Sequence, residues 1–453
     1  MQNPRQIAAI GVFLTVWPAW AQTPSFQTLS LKDAVQVAVA KNKSIEAAHA
    51  ASDAAQSRIT QAKSGYLPKV NYSESWTRSD NPVFVFSSLL TQRQFGAQNF
   101  AIAPLNRPDF LNNFQSQINA DQPLYDAGKT RRAVQSAQLS KDAVSEETRR
   151  TQLDVIAAVV RSYYAAQLSA EMLRAAEQAM LSAESDLFRA QARVKAGVTT
   201  DVDVLSIKVH IANIKEQQIR LQADLEVAHA ALNEAMGQSL DNPHMLITAL
   251  SAVALPANMV TQFESDGVSN RPETKQLKLM ASIAETQAAD ARSHWLPQVG
   301  LHSAFEADRQ RFYNGGGANW LVSIGLRWNL FDGFAGASRV QEAQSAIRRA
   351  NAEKDRADAA IRLQVRKAFT DLRAAQQRIE TAQATVAEAE ETLRISQDRY
   401  AAGLSTITDL LRTETALLET RTRNLAAIHD QHLAAVMLEW AAGTLNAESE
   451  VLR

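Results

Sequence analysis

The 453-residue sequence contains no cysteine, few aromatic residues (6%) and only 16 glycines. The absence of cysteine excludes a disulfide framework, a thiolate metal site, a cysteine nucleophile and a lipid attached to an N-terminal cysteine. Basic and acidic residues nearly balance, 47 against 48, so the charge does not point to nucleic acid or to a strongly anionic partner. Because Ala, Gln, Arg and Glu abound instead, the composition favours long helices over several compact cores.

Long hydrophobic runs are also scarce. Near the N-terminus, Arg5 precedes an apolar core at residues 7–17, and Ala19-Trp20-Ala21 forms an A-x-A cleavage motif. About 11 apolar residues are too few to span a bilayer, so residues 1–21 are predicted to be a secretory signal peptide and not a membrane anchor. No other segment approaches the roughly 20 apolar residues of a spanning helix. If the mature protein sits in a membrane, the sequence predicts that it does so as a β-barrel.

What the sequence does contain is a heptad seam that occurs twice. In the second half, large apolar residues alternate with Ala or Ser at intervals of four and three residues, through Ile361, Val365, Ala368, Leu372, Ala375, Ile379, Ala382, Val386, Ala389, Leu393, Ser396 and Tyr400. The same seam occurs 206 residues earlier, over residues 155–194. This period places one apolar stripe along a helix, and the small residues let a partner helix approach closely. The chain is therefore predicted to be duplicated.

Upstream of each seam the hydrophobic period changes to two. Four segments alternate in this way and are predicted to be strands of about ten residues, at 69–80, 113–125, 298–308 and 320–331. Tyr66-Leu67-Pro68 and Trp295-Leu296-Pro297 end the helices that precede them, because proline disfavours a helical conformation in the residue before it. Residues 81–112 are expected to form a loop, longer than the equivalent loop of the second half.

Each repeat therefore consists of a helix, a strand, a loop, a strand, a very long helix, a tight turn and a return helix. The first repeat is predicted at 22–256 and the second at 257–453, with long helices at about 129–195, 203–236, 335–400 and 407–441. The longest of these would extend about 100 Å. Four strands cannot close a barrel, and an open sheet edge is not viable in lipid. Three chains would supply twelve strands.

This duplicated plan resembles the TolC family of outer-membrane efflux proteins over nearly the whole mature chain. The local marks are Gly65-Tyr66-Leu67-Pro68, Trp295-Leu296-Pro297, Leu124-Tyr125-Asp126-Ala127-Gly128, Leu330-Phe331-Asp332-Gly333, Arg399-Tyr400-Ala401-Ala402-Gly403 and Ala442-Gly443-Thr444-Leu445. The resemblance implies a mainly α fold with membrane β-structure. Its form would be a homotrimeric channel in which a twelve-stranded outer-membrane β-barrel continues into an α-helical tunnel across the periplasm.

The resemblance also implies how such a channel works. The family exports drugs, metals or proteins from Gram-negative cells together with a periplasmic adaptor (a membrane fusion protein) and an inner-membrane pump of the RND, ABC or MFS type. It performs no bond chemistry, and no cofactor, metal or nucleic acid is implied. The missing cysteine excludes the lipid-anchored members of the family. Which cargo and which pump apply stays open.

Three residues match positions at the periplasmic entrance of the family. Tyr400 matches a tyrosine that links neighbouring helices, Asp203 matches its partner in the first repeat, and Asp409 matches an acidic ring. Three copies of Asp409 around a narrow pore would favour cations and raise one another's pKa by like-charge repulsion. The alternative is that Asp409, Asp203 and the nearby Asp201 only cap and solvate the helices at this tip.

The turns that join the long helices carry the remaining candidate residues of this end. Gly197, Val198, Gly403 and Leu404 are expected to dock the adaptor. The family pattern is incomplete here, because Ser405 stands where some members have a gating arginine. Similarly, Arg412 stands where they have a second aspartate.

Two further groups of side chains have alternative interpretations. Tyr72, Trp76, Trp320 and Trp328 are expected as interfacial aromatics of a membrane barrel, the alternative being ordinary packing beneath it. His429 and His432 lie three residues apart in a helix, but no further ligand is near in the sequence. They are expected to be exposed helix histidines and not a metal site.

Two other classes of function are less consistent with the sequence. A periplasmic coiled-coil adaptor or scaffold would also have long helical hairpins, but it would leave the two strand pairs unexplained. An enzyme would need a reactive constellation, and the sequence contains no Ser/His/Asp grouping, glycine-rich phosphate loop or metal-ligand spacing. An outer-membrane export channel is therefore the leading hypothesis.

Overall fold

A computed structural model of the chain describes residues 27–253 and 259–452. The predicted signal peptide at residues 1–21 lies outside the described residues. The first elements are β1 (Gln27–Leu29), α1 (Leu31–Lys41), α2 (Lys43–Lys63), β2 (Lys69–Ser79), α3 (Pro82–Thr91), α4 (Ile102–Asn106) and β3 (Leu111–Tyr125). The first helical hairpin follows, formed by α5 (Lys129–Lys195) and α6 (Asp201–Ala235).

The second half of the chain repeats this order of elements. After β4 (His244–Leu246) come α7 (Val260–Asn270), α8 (Pro272–Ser293), β5 (Gln298–Arg309), β6 (Gly317–Arg327), α9 (Ala335–Ala401) and α10 (Ile407–Ala442). Helices α5 and α9 contain 67 residues each and begin 206 positions apart. Both are about 100 Å long at 1.5 Å per residue.

The expectation that residues 81–112 form only a loop is wrong, because they contain α3 and α4. Asn81 caps α3, and its side-chain oxygen accepts hydrogen bonds from the backbone N–H groups of Val83 and Phe84 at 3.0 and 3.2 Å. Pro82 occupies the first helical position, where its missing N–H costs nothing. These local signals are sufficient to start a helix of ten residues.

The two seams form the narrow contact surfaces of the long helices. In α9, the residues from Ile361 to Ile379 on the seam are buried, and the remaining seam positions are buried or half-buried. Helix α9 packs along α10, and α5 packs along α6. The opposite faces are polar and exposed. Among the described residues, no helix combines the length and the apolar character needed to cross a lipid bilayer.

The repeated aspartates at the sheet-to-helix corners are helix caps. The Asp126 carboxylate accepts hydrogen bonds from the backbone N–H of Gly128 at 2.9 Å and of Thr130 at 2.6 Å. Asp332 accepts one from the N–H of Gly336 at 2.7 Å. Each carboxylate satisfies N–H groups that the first helical turn leaves free. The corner motif is therefore repeated because both long helices start in the same way.

The main sheet has four antiparallel strands in the order β2-β3-β5-β6. Its register separates two faces of opposite character. Residues directly paired across strands share a face, so one face carries Tyr72, Trp76, Phe114, Ile118, Leu301, Phe305, Trp320, Val322, Ile324 and Leu326. The same face also carries the polar cluster of Glu74, Ser116 and Arg309, in which Arg309 pairs with Glu74 at 2.9 Å. The other carries Ser73, Ser75, Asn113, Gln115, Gln117, Asn119, Glu306, Asp308, Asn319 and Ser323. The two outer strands, β2 and β6, each leave one edge unpaired in the single chain.

A compact core lies halfway along the helices, where β1 pairs in parallel with β4. Tyr163 and Tyr164 of α5 are buried there, and the ring of His432 stacks on Tyr164 with 4.4 Å between centroids. The His432 Nε2 lies 2.5 Å from the backbone oxygen of Ser251. The expectation of exposed histidines is therefore wrong, because the connector after β4 covers this face of α10 and buries His432 while leaving His429 half-buried.

This core gives a first prediction. The Tyr163 hydroxyl donates a hydrogen bond to the backbone oxygen of Leu29 at 2.9 Å and accepts one from the N–H of Thr248 at 3.1 Å. Tyr163→Phe leaves the Thr248 N–H unpaired, whereas the Leu29 oxygen keeps a second hydrogen bond from the Ile247 N–H at 3.2 Å. We expect the substitution to lower the free energy of unfolding by about 1–3 kcal/mol. Denaturant unfolding followed by circular dichroism measures this change.

Tyr164→Phe is the matched control, because the structure gives the Tyr164 hydroxyl no hydrogen bond among the described residues. It removes the same atom from an adjacent buried ring and is expected to change the stability less. Equal losses for the two variants would contradict the assigned role of the Tyr163 hydroxyl.

Candidate functional site

The two tight turns at the far end of the helical hairpins have the same backbone geometry. Gly197 and Gly403 adopt left-handed conformations with φ of 71° and 74°, which side chains with a Cβ atom rarely adopt. The N–H of Val198 donates to the oxygen of Arg193 at 3.0 Å, and that of Leu404 donates to the oxygen of Arg399 at 2.8 Å. These bonds leave the side chains of Val198 and Leu404 65% and 70% exposed at the tips.

One side-chain contact joins the two hairpins close to these turns. The Tyr400 hydroxyl of α9 donates a hydrogen bond to the Asp203 carboxylate of α6 at 3.2 Å. Thr199 donates a second bond to the same carboxylate at 2.5 Å. Burial raises the pKa of Tyr400, and the charge and hydrogen bond of Asp203 raise it further. The structure therefore brings together the two residues that the sequence singled out as a pair.

Arg193 of α5 holds Tyr400 from the other side. Its guanidinium lies 4.9 Å from the centre of the tyrosine ring and donates a hydrogen bond to the Tyr400 backbone oxygen at 2.8 Å. Beneath this contact, four helices contribute to one apolar cluster, with Ala190, Ile207, Tyr400, Ile407 and Leu410 at its centre. We call the contact between Tyr400, Asp203 and Arg193 the tip lock. It ties the first repeat to the second at the end of the helices.

Asp409 lies outside the tip lock and caps α10. Its carboxylate accepts hydrogen bonds from the hydroxyl of Thr406 at 2.7 Å and from the Thr406 N–H at 3.3 Å. These bonds hold the pKa of Asp409 below its usual range, and the positive charges of Arg412 and Arg399 act in the same direction. Within one chain, the surroundings of Asp409 thus oppose the increase in pKa expected from three copies around a pore.

Two other predicted residues have simple local environments. Asp201 is exposed in the first turn of α6, where a negative charge is favoured by the helix dipole. The Ser405 hydroxyl is buried without a hydrogen-bond partner in the part of the chain that the structure describes. Neither residue forms part of the tip lock.

A second polar cluster, not predicted from the sequence, lies along the helices beyond the tip lock. Asp186 of α5 is 3% exposed and forms an ion pair with Arg189. Glu414 of α10 is 8% exposed, accepts a hydrogen bond from Ser182 at 2.9 Å and lies 3.4 Å from the Nε2 atom of His210 on α6. One carboxylate oxygen of each acid is buried without a hydrogen-bond partner among the described residues.

The two acids of this cluster have opposite electrostatic environments. Burial raises the pKa of Asp186 to about 6, and the adjacent Glu414 carboxylate adds to the increase. Burial also opposes ionisation of Glu414, but the adjacent His210, the protonated form of Asp186 and the hydroxyl of Ser182 outweigh it and lower the pKa of Glu414. At neutral pH the helices therefore enclose two adjacent negative charges, of which Asp186 is the first to take up a proton.

The sequence did contain a signal for this cluster. Ile407, Leu410 and Leu417 continue an apolar stripe on α10 at heptad spacing, and Glu414 occupies the position between Leu410 and Leu417. A carboxylate in such a stripe has to be buried against the neighbouring helix. The described residues contain no group of three or more His, Asp or Glu side chains suited to hold a metal ion.

The predicted interfacial aromatics all lie at the sheet end of the molecule. Tyr72, Trp76 and Trp320 share the apolar face of the sheet, and Trp320 is 79% exposed in the single chain. Trp76 stacks on Phe114 of the neighbouring strand. Trp328 follows the last residue of β6, and its indole N–H donates to the backbone oxygen of Trp295 at 3.0 Å. It therefore stands at the junction of sheet and helices.

Comparison with known proteins gives one consistent result. A sequence profile described as outer membrane efflux protein matches residues 34–238 and 266–444. Protein CyaE of Bordetella pertussis is 24% identical over 433 residues, which cover 95% of this chain and 87% of that protein. The proteases secretion protein PrtF of Dickeya chrysanthemi is 23% identical over 433 residues, with 94% and 90% covered.

Solved structures have the same fold. The outer membrane channel CmeC of Campylobacter jejuni superposes with a TM-score of 0.77 at 15% identity, over 98% of this chain and 96% of that one. At this identity the similarity concerns the fold alone.

The buried acids give a prediction on the pH dependence of stability. The folded chain keeps the Asp186 proton up to about pH 6, whereas an unfolded chain loses it near the ordinary value of 3.8. This group therefore lowers the stability as the pH rises through that window. Asp186→Asn removes the group that titrates. We expect this substitution to raise the free energy of unfolding by about 2–3 kcal/mol near neutral pH. At pH values below the window, we expect the free energy of unfolding to be unchanged.

Unfolding of both proteins by denaturant, measured across that pH range, tests this expectation. Glu184→Gln is the control, because it neutralises an exposed carboxylate on the same helix. A stability gain for Asp186→Asn that does not depend on pH would contradict the assignment.

Proposed function

The chain belongs to the outer membrane efflux protein family, and from this membership we propose that it is the outer-membrane channel of a tripartite export system. In this proposal three chains form one duct through the outer membrane and across the periplasm. A periplasmic adaptor joins the duct to an inner-membrane pump, and the channel itself performs no bond chemistry. It carries small molecules or proteins outward.

The observation that carries this proposal is the two-faced sheet. One face is lined mostly with aromatic and aliphatic side chains, interrupted by the ion pair of Glu74 and Arg309. The other is lined mostly with Ser, Asn, Gln, Glu and Asp. Strands β2 and β6 leave unpaired edges, which lipid does not tolerate. Joining β6 of one chain to β2 of the next in a ring of three closes twelve strands into a barrel. The apolar face then meets lipid and the polar face lines a water-filled pore.

The hairpins extend the pore on the other side of the membrane. Helices α5 and α9 each reach about 100 Å beyond the sheet, the order of length needed to approach an inner-membrane complex. In the single chain, the first hairpin exposes several apolar residues, which are Leu181, Phe188, Val202, Leu205 and Val209. A neighbouring chain in the trimer would cover them, as exposed groups of apolar side chains indicate contact with a partner.

The tips then form the periplasmic entrance, and the tip lock keeps it closed. Val198 and Leu404 present apolar side chains at the very end of the hairpins, where an adaptor can dock. Export requires the first and second hairpins to separate at this end, which breaks the contact between Tyr400 and Asp203. PrtF is named for the secretion of proteases, and its similarity over nearly the whole chain supports proteins among the possible cargoes.

The alternative function, a periplasmic adaptor or scaffold, does not account for the apolar face of the sheet. A soluble protein would expose Trp76, Trp320, Ile324 and Leu326 to water on one continuous face. Such large exposed apolar patches indicate contact with a partner or a membrane.

The tip lock gives a prediction on channel opening. We expect Tyr400→Phe combined with Asp203→Ala to raise the open probability and the mean conductance of single trimers in planar lipid bilayers. The lost hydrogen bond contributes about 1 kcal/mol in each chain, which corresponds to about a fivefold change in an equilibrium constant.

Asp201→Ala is the control for this experiment. It removes a carboxylate two residues away that takes no part in the tip lock, so its conductance should match that of the unaltered protein. If the double variant also conducts like the unaltered protein, Tyr400 and Asp203 do not hold the entrance closed.

Docking at the tips is tested by photo-crosslinking in living cells. A photoreactive amino acid at Val198 or at Leu404 is expected to capture a periplasmic adaptor, identified by mass spectrometry. The pump that this adaptor serves then indicates whether small molecules or proteins are exported. Tyr313, which is 81% exposed at the opposite end of the molecule, is the control and should capture no adaptor. Trimers whose tips crosslink only to one another would contradict adaptor docking.

A further inference from the structure

The segment between β2 and β3 has no role in the export duct described above. Residues 80–110 connect these strands, whereas the seven residues 310–316 suffice to connect β5 and β6. The long connection contains α3 and α4 and is rich in apolar residues, several of them exposed: Val83, Leu90, Phe100, Ile102 and Phe110. It lies at the end of the sheet that is farthest from the helical hairpins. We call it the outer segment.

A buried glutamine shows which face of the sheet the outer segment covers. Gln92 is 2% exposed, and its side-chain amide donates hydrogen bonds to the backbone oxygen of Asn112 at 3.0 Å and to the Asn113 side-chain oxygen at 2.8 Å. The Asn113 amide in turn donates to the Asp308 carboxylate at 2.7 Å. Asn113 and Asp308 both stand on the polar face. The outer segment therefore folds over the polar face and away from the apolar one.

A glycine at the start of β6 independently indicates that the outer segment covers the polar face. Gly317 pairs with Asp308, so its missing side chain would point to the polar face. A Cβ atom there would lie 1.8 Å from the backbone oxygen of Thr91, at the end of α3. Only glycine leaves room for this contact. Arg93 follows in a left-handed conformation with φ of 56° and donates to the backbone oxygen of Ala318 at 2.8 Å.

This inference rests on the proposed function, because the polar face lines a pore only if three chains close the barrel. In that arrangement the outer segments of all three chains fold into the outer mouth, each with exposed apolar side chains free to meet the others. We propose that residues 80–110 form a constriction at the outer mouth of the channel, seated by Gln92 on Asn113 and Asp308. It narrows the mouth at rest, and export displaces it.

The seat is suited to being displaced. Gln92 Oε1 and Asp308 Oδ2 are buried oxygens without a hydrogen-bond partner among the described residues. Each such acceptor costs free energy that contact with water would recover. Lifting the outer segment away from the polar face therefore breaks few hydrogen bonds and hydrates two unpaired acceptors.

The absence of cysteine makes a direct test possible. Gln117 lies on the polar face, deeper than Asn113, and Ile324 lies on the apolar face. We introduce Gln117→Cys, Ile324→Cys and Tyr313→Cys one at a time and treat intact cells with a maleimide that carries a polyethylene glycol chain of several kilodaltons. Tyr313→Cys is expected to react, whereas Gln117→Cys and Ile324→Cys are expected to remain unlabelled.

Shortening the outer segment then opens the mouth. A variant in which the seven residues 310–316 replace residues 80–110 is expected to label at Gln117→Cys at a rate comparable with Tyr313→Cys, while Ile324→Cys stays unlabelled. Labelling of Gln117→Cys that is equal before and after the replacement, whether fast or absent, overturns the constriction. Labelling of Ile324→Cys overturns instead the barrel of the proposed function, because that residue would then face water.

A point substitution covers the case in which the shortened protein does not assemble. Gln92→Leu keeps the volume of the side chain and removes both donated hydrogen bonds, and we expect it to make Gln117→Cys accessible. Gln94→Leu, an exposed glutamine two residues away, is the matched control and should leave it protected. If the Gln92 and Gln94 variants protect Gln117→Cys equally, Gln92 does not seat the outer segment.

Discussion

Outside the compact core around Tyr163, each of the two longest helices is held in position mainly by one narrow apolar stripe along its length of about 100 Å. Because large residues alternate with Ala or Ser along the stripe, neighbouring helices pack closely and in one register. A shift by one heptad would move the turns by about 10 Å. The close contact between Tyr400 and Asp203 at the tip, and the arrangement of the sheet at the other end, both depend on this register.

At both ends of the molecule, polar groups are buried although burial disfavours their charge or leaves their hydrogen bonds incomplete. Near the tips, Asp186 and Glu414 bring two carboxylates together between helices of different repeats. At the outer end, Gln92 is seated on Asn113 and Asp308 with acceptors left unpaired. A buried group that is incompletely satisfied weakens the closed arrangement relative to an open, hydrated one. In the duct that we propose, such sites are expected where helices or loops move apart.

Much of the fold was predictable from the sequence. The resemblance to the TolC family is confirmed by the family match, and the mainly helical fold with a small sheet is confirmed by solved structures of outer membrane channels. Asp203 was matched to Tyr400 by the resemblance alone, and the two side chains lie in contact. Their part in gating, like that of Asp409 and of the tip turns, stays a prediction. The histidines and residues 81–112 were interpreted wrongly, because segments far away in the sequence or short local caps decided their surroundings.

By itself, the sequence determined what local periodicity and capping can encode: a duplicated heptad seam, four alternating strands, and corners at proline, aspartate and glycine. These features follow from contacts within a few residues, and they recur at a fixed distance along the chain. The tertiary structure alone decided which distant groups meet. Asp186 and Glu414 are 228 positions apart, and Asn113 and Asp308 are 195 apart. Only the packing of one repeat against the other determines such pairs, because no pattern in either segment specifies its partner.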